Sequence, residues 1–430
     1  MKEKFIKSTI ILVIGGFITK ILSLAIRVII TRTIGLDGIG LYTLVLPSFN
    51  LFITIATMSL PIAISKLVSE NKRNNKKLIL GIIPVCLIFN LVIIIIIILL
   101  SSFISDKLLH NKLLKAPLIC TSITLPFITI SSIIRGYFFG KEKMSIHVLS
   151  NIIEQIVRII VIIYLTPYFL KKGIYHAVSS VILFNVISEL SSIIVFIFFI
   201  PKKTVISKED FKFDKKNIKD LVSVSVPTTV GRLISSIGNF LEPIIITHIL
   251  ISLNYTNQSI TSEFGIINGY VIPMVTMPSF LTGAISSALL PPISKYFVRN
   301  QKKEIKRTLK LGILISIFIG FICTFLLFMY PKFFLKTIFK TNYGINYLKF
   351  ASIMFLSSYI IGPISSVLQA INKSNKIMLV NIIGVIIKTI VLILTCYLDI
   401  KMYSLLISYF VQFIYTLFHY FILLKKYFDN

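Results

Sequence analysis

The 430-residue sequence has no tryptophan, four cysteines, five histidines, and 16 acidic residues against 45 lysines and arginines. Each shortage excludes something. The cysteines, Cys86, Cys120, Cys323 and Cys396, fall far apart with no CxxC spacing and no histidine pairing. That pattern supports neither a disulfide framework nor a metal site, and no cofactor is expected. With so few histidines and carboxylates, and no long polar stretch to form a domain outside the membrane, there is little to build an enzyme from. No catalytic residue is assigned. Charged residues are only 14% of the chain, too few to cover a soluble protein of this length.

What is present in excess is apolar. Hydrophobic residues make up 56% of the chain and the mean hydropathy is +0.91. A span needs roughly 20 consecutive mostly apolar residues, and the sequence supplies such runs repeatedly, most plainly over 78–100. The pattern predicts an all-α integral membrane protein with about twelve transmembrane helices. Those of the first half lie near 9–31, 40–65, 78–104, 116–139, 148–169 and 174–200. Those of the second lie near 221–250, 264–292, 308–330, 345–370, 377–398 and 402–424. The first is read as a retained span, because it carries Lys20 and Arg27 and lacks a small-residue cleavage site.

The net charge of +29 would suggest nucleic acid in a soluble protein, but here the basic residues alternate from loop to loop. The stretches 66–77, 202–219 and 295–310 are strongly basic, whereas 253–262 has no charge. With both termini in the cytoplasm this distribution satisfies the positive-inside rule. The basic runs are read as topology signals, and no nucleic-acid partner is expected.

The sequence also matches itself weakly at a spacing of about 230 residues, the mark of a duplicated unit. Leu60-Pro61-Ile62-Ala63-Ile64-Ser65-Lys66 answers to Leu290-Pro291-Pro292-Ile293-Ser294-Lys295. Ser131-Ser132-Ile133-Ile134 answers to Ser365-Ser366-Val367-Leu368. Asn151-Ile152-Ile153 with Arg158 answers to Asn381-Ile382-Ile383 with Lys388. Two pseudo-symmetric six-helix lobes around a central cavity are expected, residues 1–201 and 221–430, joined by a basic cytoplasmic linker at 202–220. Rocking of the lobes would open the cavity to each side in turn.

Ionisable residues inside a span cost several kcal/mol each, roughly 2.5–3.5 at the helix centre, so each is a candidate for function. Lys20 and Arg27 share one face of the first span. Arg232, Ser235, Ser236, Asn239 and Glu242 form a polar stripe along the seventh. Facing each other, these helices would line a cationic cavity suited to phosphate or pyrophosphate. The substrate-binding candidates are therefore Arg27, Arg232, Lys20, Asn239 and Glu242. The plainer alternative is that Lys20 and Arg27 snorkel to the interfaces and Arg232 neutralises Glu242. On the fifth span Glu154 and Arg158 have the i, i+4 spacing of an ion pair, which favours a structural pair. Glu189 on the sixth could bind a coupling proton or serve as the partner of Arg158. Lys388 has no acidic neighbour in its own span.

Several of these segments carry a family resemblance. Gly40-Leu41-Tyr42 with Leu44-Val45-Leu46-Pro47, the run from Leu60 through Glu70, Arg135-Gly136-Tyr137-Phe138, Ile153-Glu154-Gln155-Ile156-Val157-Arg158, and Gly231-Arg232-Leu233-Ile234 with Leu241-Glu242-Pro243 resemble the stage V sporulation protein B group. That group belongs to the multidrug, oligosaccharidyl-lipid and polysaccharide exporter superfamily. The resemblance implies a two-lobe transporter in a bacterial cytoplasmic membrane, whose partners are a lipid-linked sugar precursor and the membrane lipids, with coupling to an ion gradient or the membrane potential as a further expectation. The resemblance leads to a flippase for a polyprenyl-pyrophosphate sugar or a peptidoglycan precursor such as lipid II. A cation-coupled multidrug antiporter on the same scaffold is the alternative. A membrane glycosyltransferase would need carboxylates or basic residues clustered on a long outer loop, and the outer loops are short.

Overall fold

The structure is a computed structural model and describes residues 2–70, 74–200, 210 and 215–429. The described residues are almost entirely helical. In the first half these are α1 (Lys2–Thr57), α2 (Leu60–Ser69), α3 (Asn75–Ser102), α4 (Lys115–Gly140), α5 (Met144–Leu170) and α6 (Ile174–Phe198). Then come α7 (Lys215–Ser252), α8 (Asn257–Gly265), α9 (Ile272–Thr276), α10 (Ser279–Val298), α11 (Lys302–Met329) and α12 (Pro331–Phe334). The last four are α13 (Ile345–Phe355), α14 (Ser358–Ala370), α15 (Ser374–Tyr397) and α16 (Tyr403–Asp429). Most of the 202–220 linker lies outside the described residues.

Among the described residues ten helical stretches are long and apolar enough to cross a membrane, or eleven when the pair bent by 45° at the α9–α10 break is one span. The first stretch, Ile14–Ser69, is 56 residues long. At 1.5 Å per residue it would run about 84 Å, against a hydrocarbon core of about 30 Å. It therefore supplies two spans, and the total is about twelve. Where a loop is expected between 31 and 40, the helix runs through with one break, at Gly35 (φ 68°, ψ −169°). Only glycine adopts such a conformation without strain.

Local sequence explains the helix starts. Asn74 caps α3, its side chain accepting from the Lys76 and Lys77 amides at 3.1 and 3.4 Å, and Thr256 caps α8 through the Ser259 amide at 3.3 Å. Proline stands in the first turn of α2, α9 and α12, where its missing N–H costs nothing. The packing is inside-out relative to a soluble protein. Ile88, Leu91, Ile95 and Leu99 of α3 are exposed, as are Leu314, Phe318 and Phe321 of α11. Acyl chains are the solvent that such surfaces need. The interior instead holds small and hydroxylated side chains: Thr121, Ser122, Thr124, Thr129 and Ser131 of α4, and Ser180, Ser188 and Ser192 of α6. At Gly136 and Gly140 a Cβ would come within 3.0 Å of the Pro61 carbonyl oxygen and 2.7 Å of that of Ser65, so these glycines set the close approach of α4 to α2.

The chain divides into two compact units, Met1–Phe240 and Leu241–Asn430, with the division inside α7. Within the first unit, Leu221 at the start of α7 packs with Leu60, Ile64, Leu78 and Ile82. Asp210, buried, forms an ion pair with Lys76 at the start of α3.

The internal repeat extends to backbone detail. His110 and Lys340 both adopt left-handed conformations (φ 49° and 55°), as do Glu142 and Asn372 (φ 56° and 60°); members of each pair are 230 positions apart. Helices α4 and α14 end at Gly140 and Ala370, and α5 and α15 begin at Met144 and Ser374, again with that offset. A π-helical turn follows α3 at Phe103–Leu108, and another follows the short α12 at Leu335–Phe339. A chance similarity of apolar runs would not repeat such irregularities.

Candidate functional site

Apart from Asp210, the buried charges among the described residues gather in one cluster per unit. In the second unit, α7 contributes Glu242, α15 Lys388 and α16 Tyr409. Lys388 and Glu242 form an ion pair, with Lys388 1% and Glu242 5% exposed. Tyr409 donates its hydroxyl to the other carboxylate oxygen at 3.0 Å, and its ring centroid lies 5.0 Å from the ammonium. Both carboxylate oxygens of Glu242 are thus engaged by donors. This corrects the reading in which Arg232 neutralises Glu242, and it supplies the partner that Lys388 lacks in its own span. The partners are 146 residues apart in sequence, beyond the reach of any local spacing rule.

In the first unit, α4, α5 and α6 bring together Arg135, Glu154, Arg158 and Glu189. The expected i, i+4 pair does not describe what Glu154 does. Its ion pair among the described residues is with Arg135 of α4, at 3.4 Å. Arg158 reaches α6 instead, donating from Nε to Ser188 Oγ at 3.3 Å and from a terminal nitrogen to Asn185 Oδ1. Tertiary packing wins because α4 and α6 both lie against α5 and offer each side chain a partner on a neighbouring helix. Glu189 is 7% exposed, and its Oε2 has no hydrogen-bond partner. The same holds for Arg135 Nε, Asn151 Oδ1 and His147 Nδ1 nearby on α4 and α5. Arg135 belongs to this cluster although the sequence reading gave it no role; its place inside a span was the available signal.

The proposed cavity residues fall as follows. Arg27 is half-buried on α1, and Lys20, seven residues earlier, is exposed. On α7, Arg232 is exposed and its guanidinium lies 3.5 Å from Ser59 Oγ. Ser59 occupies a two-residue left-handed break with Met58 (φ 52° and 42°) between α1 and α2. One turn along α7, Ser236 Oγ is 3.0 Å from Thr54 Oγ1. Polar contacts thus hold the first part of α7 along the second span of the same unit. Asn239 is exposed.

In the second unit, Tyr255 donates to Asp399 Oδ1 at 2.8 Å, a bond that raises the tyrosine pKa, and Tyr347 donates to Glu263. The recess bordered by Tyr255 and Glu263, lined also by Lys401 and Met402, has about 10 Å³, room for one water and not for a sugar. Among the described residues no three His, Cys, Asp or Glu side chains converge as a metal site.

Comparison with known proteins places this geometry. Residues 5–297 match the family described as "Polysaccharide biosynthesis protein", and residues 268–394 match MatE. The chain is 31% identical over 398 residues to Stage V sporulation protein B of Bacillus subtilis (strain 168), covering 90% of this chain and 77% of the relative. It is 24% identical over 422 residues to Lipid II flippase MurJ of the same organism, covering 91% and 77%. Among solved structures, a multidrug resistance MATE family transporter of the MOP superfamily in an inward-facing conformation superposes with a TM-score of 0.73 at 15% identity, over 96% of this chain and 94% of that one. Lipid II flippase MurJ in an inward closed conformation gives 0.69 at 16%, over 94% and 86%. The fold is therefore the two-lobe fold of these transporters, and the protein is a multi-span membrane protein. The matched family covers more than half of the sequence, and the chain belongs to the polysaccharide biosynthesis protein family.

Proposed function

We propose that this protein is a flippase that carries a lipid-linked, polyprenyl-pyrophosphate oligosaccharide or peptidoglycan precursor such as lipid II across a bacterial cytoplasmic membrane by alternating access. The observation that carries the reading is the likeness, over nine-tenths of the chain, to Stage V sporulation protein B, joined by the likeness to Lipid II flippase MurJ. The charge chemistry agrees with it. Arg27 and Arg232 are cations on the opening helices of the two repeats. Guanidinium forks suit pyrophosphate oxygens, and Lys20 and Asn239 are the accessible polar groups on the same helices. Glu242 drops out of the ligand set in this reading, since its oxygens are held by Lys388 and Tyr409. The membrane potential supplies a driving force: moving one negative charge outward is worth about 2.3 kcal/mol per 100 mV with the inside negative.

The reading takes residues 1–201 and 221–430 as the lobes, 202–220 as their cytoplasmic linker, and both termini as cytoplasmic. Cysteines placed at 253–262 should react with an impermeant thiol reagent from outside and cysteines at 202–219 should not; the reverse pattern overturns this orientation.

The functional test is substitution of the two arginines in full-length protein. Arg27→Ala and Arg232→Ala should leave the protein inserted and folded but abolish precursor translocation in vesicles. Arg→Lys should keep part of the activity, because the charge stays while the paired hydrogen bonds go. Full translocation by the double alanine variant at normal expression would overturn the anionic-substrate mechanism. The shared fold would then favour the alternative, a cation-coupled multidrug antiporter.

A further inference from the structure

The two buried charge clusters differ in how completely they are satisfied. In the second unit the cation is covalently part of the protein: Lys388 and Tyr409 engage both oxygens of Glu242. Arg158 stands 230 positions before Lys388, at the corresponding place on α5, yet its side-chain hydrogen bonds go to neither Glu154 nor Glu189. It binds Ser188 and Asn185, and Ser188 is the residue next to Glu189. Glu189 is thereby left with a buried oxygen that nothing in the protein satisfies.

A buried, unpartnered carboxylate oxygen in a membrane interior is costly if the group is ionised and tolerable if it carries a proton. The charges acting on Glu154 are Glu189 on α6, Arg135 on α4 and Arg158 on its own helix. Arg135 is committed to Glu154, and the other nearby titratable group, His147, faces Asn151 with its Nε2 at 3.3 Å. Helix α1, which packs against α4, α5 and α6, carries Lys20, Arg27, Arg32 and Asp37. Two guanidinium groups beside the carboxylates repel a metal cation, whereas a proton adds to a carboxylate oxygen without needing a coordination shell.

We propose that Glu189, within the Arg135–Glu154–Arg158 cluster of the first unit, is a proton-binding site that switches the partner of Arg158. In the protonated state of this switch Arg158 binds Asn185 and Ser188, the contacts seen in the structure. When the proton leaves to water, the Glu189 carboxylate takes the Arg158 guanidinium from those two acceptors, and the contact between α5 and α6 changes by the distance between neighbouring residues of α6. Proton release and uptake thus alternate two packings of the same helix pair. At the corresponding site of the second unit both oxygens of the carboxylate are already held, by an ammonium and a phenol. This inference concerns proton binding by the protein alone, and it stands or falls without reference to the precursor carried.

The test is infrared difference spectroscopy of the purified full-length protein in nanodiscs, titrated from acid to alkaline pH without substrate. Wild type should lose a buried protonated-carboxyl band as pH rises. Glu189→Gln, which keeps shape and mimics the neutral form, should lack that band. Glu242→Gln should retain it. Asn185→Ala with Ser188→Ala should shift the band's loss to lower pH, because Arg158 is released toward Glu189. The same titration with sodium added at fixed pH should leave the band in place. A band unchanged in Glu189→Gln, or abolished in Glu242→Gln, overturns the assignment. Loss of the band on adding sodium would assign the site to a metal cation and overturn the proton. Because no substrate is present, failure here leaves the flippase reading untouched, and failure of the arginine variants leaves this one untouched.

Discussion

The cluster around Lys388 and the cluster around Glu189 occupy the two halves of a duplicated chain, yet one is closed and the other is open. In the second unit one ammonium, one carboxylate and one phenol complete each other across α7, α15 and α16. In the first unit two guanidinium groups and two carboxylates share α4, α5 and α6, and several of their polar atoms find no partner. A closed buried pair stabilises chiefly by never being broken, because removing either partner strands the other in a medium that cannot solvate it. An open cluster has a weaker claim on stability and a stronger one on function, since its unmet valences can be met by something that comes and goes. The duplication kept the position of the cation on α5 and α15 and let the surroundings diverge.

The largest effect should come from breaking the closed cluster. Lys388→Ala leaves Glu242 ionised and unpaired beside Tyr409, and should destabilise the protein by about 3–5 kcal/mol. Adding Glu242→Gln to it should recover most of that loss, since the amide still accepts from Tyr409. Within the same site Tyr409→Phe should cost less, about 1.5–3 kcal/mol, the range for one hydrogen bond to a charged group. Glu189→Gln should cost almost nothing. Denaturation of the purified protein followed by circular dichroism reads all four, as the chain has no tryptophan to report by fluorescence. A stability loss on Glu189→Gln as large as that on Lys388→Ala would erase the distinction between the clusters.

How far these features could be read from the sequence depends on the range of the forces involved. Spans were legible because an apolar run of sufficient length is a local property, and the expected spans fall on helical residues, although 40–65, 264–292 and 345–370 are each broken within. The Leu-Pro and Asn-Ile-Ile correspondences were legible because the repeat preserves spacing. The continuity of the first two spans was not: Gly35 alone looks like the start of a loop, whereas the helix resumes after one non-helical residue. Charge pairing was the least legible. The i, i+4 rule describes an isolated helix, and it pointed to Arg158 for Glu154; packing of α4 beside α5 put Arg135 there instead. The Lys388–Glu242 pair spans 146 residues, so no local pattern could announce it. The substrate-facing roles proposed for Arg27 and Arg232 rest on chemistry and relationship, because a cation's ligand is written in neither its spacing nor its burial.

The smallest effect compares the repeats where they agree in shape and differ in residue. After α4 the chain turns through Glu142 (φ 56°), and the Lys143 amide donates to the Phe138 carbonyl at 3.0 Å. After α14 it turns through Asn372 (φ 60°), and the Lys373 amide donates to the Leu368 carbonyl at 2.9 Å. Both are helix ends closed by a left-handed residue, a position that glycine and asparagine take readily and glutamate does not. The left-handed conformation costs an ordinary residue roughly 1–2 kcal/mol, most of which asparagine or glycine avoids. Glu142→Asn should therefore stabilise the first unit by up to about 1 kcal/mol, and Asn372→Glu should destabilise the second by a similar amount. Both side chains are exposed or nearly so, which keeps core packing out of the comparison. Equal and opposite shifts in the unfolding midpoint would establish that the two turns are energetically the same element. If Glu142→Asn destabilises, the glutamate side chain makes a contact at the first turn that outweighs its backbone strain, and the repeats have diverged there as they have at their buried charges.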